Sequence, residues 1–205
     1  MEKISKTGKN FDETLEQICE ENNLTKEDIV YRTGEVKKGL FKGETTEVIV
    51  YKKDDIYNLI KEFLTEVIEK LGLEVSFELK KQDDRATLKM YSNNNNILIG
   101  HNGNTLKALE NLVKQKVLVE TGIFFAISLD VENYKDKKVA RLERLAKNIA
   151  RDVLKTKVAV HMENMNAYER RIVHNVLTKF KNISSASEGE EPNRHIVISY
   201  VESKE

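Results

Sequence analysis

Apolar residues in this chain recur at two periods that take turns along its length, and this switching restricts the fold more than any other feature. From Ile56 through Leu59, Ile60, Phe63, Leu64, Val67, Ile68 and Leu71 they come every three or four residues, which draws one greasy stripe along a helix. Asp54 and Asp55 stand where that helix would be capped. Val75, Phe77 and Leu79 then alternate with polar residues, and after a QDDR turn Leu88 and Met90 continue the pattern, as in two strands of a hairpin with one buried face. Helices and strands that each have one apolar side must cover one another, so the expected class is α+β.

The same reading organises the rest. Phe11, Leu15 and Ile18 share a helical face, and Ile29–Tyr31 and Thr46–Tyr51 are expected strands. Between them lies the loop Lys37–Glu44, KKGLFKGE, which presents Leu40 and Phe41 between glycines. Beyond Met90 come a short apolar helix (ILI), a glycine-bounded turn, a long helix and a strand carrying Phe125, Ile127, Leu129 and Val131. The last third holds a helix with Val139, Leu142, Leu145, Ala146, Ile149, Val153 and Leu154 inward, then a strand over 158–162. A helix with Ile172, Val173, Val176, Leu177 and Phe180 follows, and a hairpin from Ile183 to Val201 turning at EGEEPN. One proline, Pro192, and no Gly/Ser-rich stretch leave no flexible tether. Three abutting domains are expected, over residues 1–52, 53–134 and 135–205.

The 34 basic and 34 acidic residues cancel over the whole chain, yet residues 135–205 carry 15 basic against 10 acidic, whereas 54–134 carry 9 against 13. A basic last third suits a polyanionic partner. Cys19 has no second thiol, which excludes a disulfide framework and a cysteine zinc site. No run approaches the roughly 18 apolar residues of a membrane span and MEKISKTGKNF lacks a signal core. A cytoplasmic protein with no transmembrane segment is expected.

Gly100-His101-Asn102-Gly103 joins two helices. Glycines there permit positive φ and remove side chains that would hold a ligand off the backbone, so a sugar-phosphate chain can lie at the helix N-terminus. Gly-x-x-Gly alone is also an ordinary tight turn. In its setting, Ile99-Gly100-x-x-Gly103-x-Thr105-Leu106-x-Ala108-Leu109 within the order helix-strand-strand-helix-helix-strand, it resembles a type II KH domain. That resemblance implies that Ile99, Gly100, His101, Asn102, Gly103 and Thr105 bind RNA, the turn clamping about four nucleotides. Relatives often place Arg or Lys between the glycines; His101 and Asn102 lower the electrostatic share.

In NAYERRIVHNVLTKF, Arg170 and His174 stand four apart, one above the other on a helix and beside its apolar stripe. Such a pair on a bare helix flank means little. ERRIVH followed by SEGEEPNRHIVI, however, resembles the domain named R-three-H for its R-x-x-x-H signature. The resemblance implies that Arg170, His174 and Arg194 hold single-stranded nucleic acid.

KH followed directly by R-three-H, behind a KKGLFKG segment, resembles the Jag (KhpB) family, the SpoIIIJ-associated RNA-binding proteins, over essentially the whole chain. Many relatives insert a long charged linker after the N-terminal domain, and this chain does not. The resemblance implies a single-stranded RNA-binding protein, with single-stranded DNA an open alternative. It further implies post-transcriptional control linked to cell elongation or division, and a small single-KH partner protein or a homodimer. Two rival readings stand beside it. An enzyme finds no Walker or dinucleotide loop, and the histidines at 101, 161, 174 and 195 show no metal-ligand spacing with carboxylates, so no catalytic residue, cofactor or metal is expected. A protein-docking adaptor would use Leu40 and Phe41, with RNA binding weak or accessory.

Overall fold

The computed structural model describes residues 1–39, 43–82 and 85–202 and divides into two units, Met1–Glu132 and Asn133–Glu205. Leu40 and Phe41 of the KKGLFKGE loop, and Asp83 and Asp84 of the QDDR turn, lie outside the described residues.

The first unit opens with β1 (Ile4–Gly8), α1 (Phe11–Glu21), β2 (Ile29–Gly39) and β3 (Gly43–Lys52), the strands forming an antiparallel sheet in the order β1-β3-β2. Leu15, Ile18 and Cys19 of α1 pack on Ile29, Val48 and Val50. Asn10 caps α1 by accepting from the Asp12 N–H at 3.0 Å. Strand β1 escapes the sequence pattern because ISKTG carries one apolar residue, and only the sheet reveals it.

Strand β3 passes straight into α2 (Lys53–Lys70), followed by β4 (Val75–Gln82), β5 (Arg85–Ser92), α3 (Asn95–Ile99), α4 (Asn104–Thr121) and β6 (Ile127–Val131). The sheet order is β4-β5-β6, with β4 and β5 antiparallel and β5 and β6 parallel. This is the α-β-β-α-α-β order expected of a type II KH domain. Ile56, Ile60, Leu64 and Ile68 of α2, Val113 and Val117 of α4, and Leu88, Met90, Leu129 and Val131 of the sheet are fully buried. Full burial of each such side chain stabilises by about 1.5–3 kcal/mol. Two details depart from expectation. Lys52 is the N-cap of α2, so Asp54 and Asp55 sit inside its first turn, where the helix dipole still favours them. Leu71, the last of the expected stripe, lies past the helix end and is exposed.

The second unit contains α5 (Tyr134–Thr156), β7 (Val160–His161), α6 (Ala167–Leu177), β8 (Ile183–Glu188) and β9 (His195–Tyr200), with β9 central in the order β7-β9-β8. Its core joins Ala146, Ala150 and Val153 of α5 to Val173, Val176 and Leu177 of α6 and to Ile196 and Ile198 of β9. The helical stripe read from sequence places Leu145 inward, yet it is exposed: its neighbour Ala146 centres the buried stripe, and one residue turns a helix by about 100°. Among the described residues no helix is long and apolar enough to cross a membrane.

Candidate nucleic-acid interface

Two places hold the residues singled out from sequence, one in each unit. In the first, α3 ends at Ile99 and a single 3₁₀ turn, His101–Gly103, leads into α4. Three of four turn residues take positive φ: Gly100 at 69°, Asn102 at 53° and Gly103 at 84°. A Cβ on Gly100 would meet Thr105 Oγ1 at 2.1 Å, so the position takes only glycine. Thr105 thus packs against the turn from above. Asn102 occupies the left-handed region that asparagine tolerates better than most residues. His101 and Asn102 are exposed, as is Ile97 at 45%, while Ile99 is half-buried and Leu98 beneath them is fully buried. The turn therefore offers a backbone edge at a helix N-terminus, with apolar surface beside it.

In the second unit the start of α6 is tied down on both sides. Asn166 and Glu169 form a reciprocal capping box, with both hydrogen bonds at 3.0 Å. Glu169 is buried and receives Lys138 of α5 at 2.5 Å. One residue on, the Arg170 guanidinium leans toward the β8–β9 loop. Its Nη1 donates to the Met165 carbonyl at 2.7 Å and to Glu191 Oε1 at 2.9 Å, and its side chain is only 11% exposed. The Met165 N–H donates to the Arg194 carbonyl at 3.0 Å, so one residue's backbone joins Arg170 to the segment carrying exposed Arg194. His174 lies a turn further along α6, exposed, with Nδ1 2.7 Å from Ser185 Oγ of β8. Arg170 and His174 thus face the same hairpin, each with a separate partner.

Sequence reasoning does not reveal Glu191 or Met165 as partners of Arg170, and no local signal marks them. Nor does it reveal that His161 and His195 meet, their ring nitrogens 3.1 Å apart, with Glu188 beside them. Linear spacing shows no ligand set there, but pairing β7 and β8 to β9 creates one.

Comparison with known proteins matches a KH domain to residues 59–136 and an R-three-H domain to residues 140–200. The chain is 32% identical to the RNA-binding protein KhpB of Clostridium symbiosum over 204 residues, covering 97% of this chain and 92% of that protein. It belongs to the KhpB (Jag) family. The RNA-binding protein KhpB of Bacillus subtilis strain 168 is 30% identical over 208 residues, covering 98% of this chain and 99% of the relative. That of Lactiplantibacillus plantarum is 29% identical over 137 residues, 67% of this chain and 42% of the relative. The resemblance to the KhpB (Jag) family, with KH and R-three-H domains in series, is therefore borne out. In this KhpB-family chain the turn from Ile99 to Thr105 falls within the matched KH segment, and Arg170, His174 and Arg194 fall within the matched R-three-H segment.

Proposed function

We propose that the chain is a non-enzymatic, cytoplasmic protein that binds single-stranded RNA through both units and acts in post-transcriptional control linked to cell elongation or division. The observation that carries the reading is the backbone of the Gly100–Gly103 turn. Three positive φ angles and a glycine that admits no Cβ shape a turn of peptide groups at the N-terminus of an 18-residue helix, with the exposed side chains of His101 and Asn102 between its glycines. Phosphate oxygens suit such an edge, and Ile97 and Ile99 supply apolar surface for bases. The relatives named above as RNA-binding proteins support the choice of RNA. In the second unit Arg170 and Arg194 would meet phosphates and His174 would add a donor or a stacking plane. The three-domain division at 52/53 and 134/135 belongs to this reading. The separate core of the first sheet supports it, while the Arg32 Nε–Thr121 carbonyl bond at 2.7 Å ties the first two together.

The test is the paired change His101→Asp with Asn102→Asp. Aspartate tolerates the left-handed conformation of position 102, so the fold and melting temperature should hold. Each new anion near a phosphate costs about 1 kcal/mol at about 4 Å even in bulk water. Affinity for a single-stranded RNA at low salt, followed by fluorescence anisotropy, should fall by about tenfold or more. Unaltered affinity in a folded variant would remove the turn from the binding surface.

The Arg170–Glu191 contact yields a prediction of opposite sign. A phosphate reaching Arg170 must displace a carboxylate that is itself 60% exposed. Exposed ion pairs are worth about 0.2–1 kcal/mol, so Glu191→Gln should tighten RNA binding by up to about fivefold. Weaker binding in that variant would mean that Glu191 positions Arg170 for its ligand rather than competing for it.

A further inference from the structure

His161 and His195 lie on the solvent face of the β7-β9-β8 sheet, opposite the face whose Ile196 and Ile198 pack on the helices. His161 is opposite Val197, two residues from His195, so alternation puts both imidazoles on one side, and Glu188 directly opposite His195 joins them. Ligand atoms of all three come within 4.8 Å of one another. His195 Nδ1 lies 3.2 Å from the Asn193 carbonyl, which can only accept, so Nδ1 carries the ring proton and Nε2 presents a lone pair. That lone pair points at His161 Nδ1, 3.1 Å away.

We propose that His161 Nδ1, His195 Nε2 and Glu188 form a binding site for a divalent transition-metal ion of the zinc class. Two nitrogens held about 2.0–2.1 Å from one ion at a tetrahedral angle stand about 3.3–3.4 Å apart. The observed 3.1 Å therefore requires only a slight opening. The ion takes the place of the proton shared between the rings, and His161 moves its own proton to Nε2. A backbone carbonyl fixing the tautomer of His195 is the support that metal-bound histidines commonly have. Asn193 is itself held by Asn164 Nδ2 at 3.2 Å. Two imidazoles and one carboxylate favour Zn²⁺, Ni²⁺ or Cu²⁺ over Mg²⁺ or Ca²⁺, which prefer oxygen alone. Three ligands leave a fourth position open to water. Because Glu188 and His195 are the last cross-strand pair before the loop carrying Glu191 and Arg194, a bound ion pins the base of that loop. The site does not depend on RNA binding.

Calorimetric titration of the full chain with ZnCl₂ should show one saturable equivalent, and titration with MgCl₂ none. His161→Ala and His195→Ala should each weaken Zn²⁺ binding by at least about tenfold, the lower bound for losing even an outer-shell partner. Both side chains are on the solvent face, so circular dichroism should be unchanged. In the unmutated chain, one equivalent of Zn²⁺ should shift the ring ¹⁵N resonances of His161 and His195 before those of His101 and His174. Absence of saturable binding, affinity unchanged from the unmutated chain in both variants, or first shifts at His101 or His174 would overturn the proposal.

Discussion

A single-stranded RNA long enough to reach both units should bind the full chain about 10²- to 10⁴-fold more tightly than it binds residues 1–132 or 133–205 alone. Once one unit holds the strand, the second meets it at an effective concentration set by the connection between them, and the units follow one another without intervening residues. The advantage should vanish for an oligonucleotide too short to engage two sites. Anisotropy with a length series checks this. A single fragment that matches the full chain on long RNA would show that only one unit grips the strand. The paired aspartates at 101 and 102 would then identify which.

Arg170→Ala should have two effects that separate by temperature. The guanidinium is the donor to the carbonyl of buried Met165, and an orphaned buried acceptor costs about 1–3 kcal/mol. For a unit of this size each 1 kcal/mol lowers the melting temperature by about 4–8 °C. The Glu191 bond adds little because that carboxylate is well solvated. At temperatures where the variant remains folded, RNA affinity should still fall, and the plot of log affinity against log salt should flatten by about 0.7, the loss of one phosphate contact on a single strand. Arg170→Lys keeps a charge and one donor, so it should recover much of the stability. Lacking the planar fork, it should not recover affinity. If lysine restores both, or if the alanine variant binds normally once folded, Arg170 is a brace for the hairpin and not a contact to RNA.

These predictions differ from what the R-x-x-x-H spacing alone suggests, and the difference shows where local reading stops. Spacing places Arg170 and His174 on one flank of α6, and they are there. It cannot say that the Arg170 head is nearly buried against Met165 and Glu191, because those partners come from the preceding loop and from a hairpin 21 residues on. The same holds for β1, whose single apolar residue gives no alternation to read and whose partner β3 is about 40 residues distant. Leu145 departs from its expected place for another reason. Its side chain fits a helical stripe as well as Ala146 does, and only the close approach of α5 to α6 selects the smaller residue for the interior.

Much of what depends on near neighbours was legible in the chain itself, apart from the exact ends of α2. The change of apolar period dictated the α+β order. Glycine at 100 and 103 marked a turn that admits positive φ, because backbone conformation is limited by each residue's own side chain, while the left-handed conformation of Asn102 is seen only in the structure. Which polar groups meet emerged only on folding. His161, Glu188 and His195 share no spacing that predicts a site, and strand register brings them within one ion's reach. Register is set by burial of the opposite face of the sheet, where Ile196 and Ile198 must point toward the helices. Residues on the solvent side are thus carried into contact by packing on the other side.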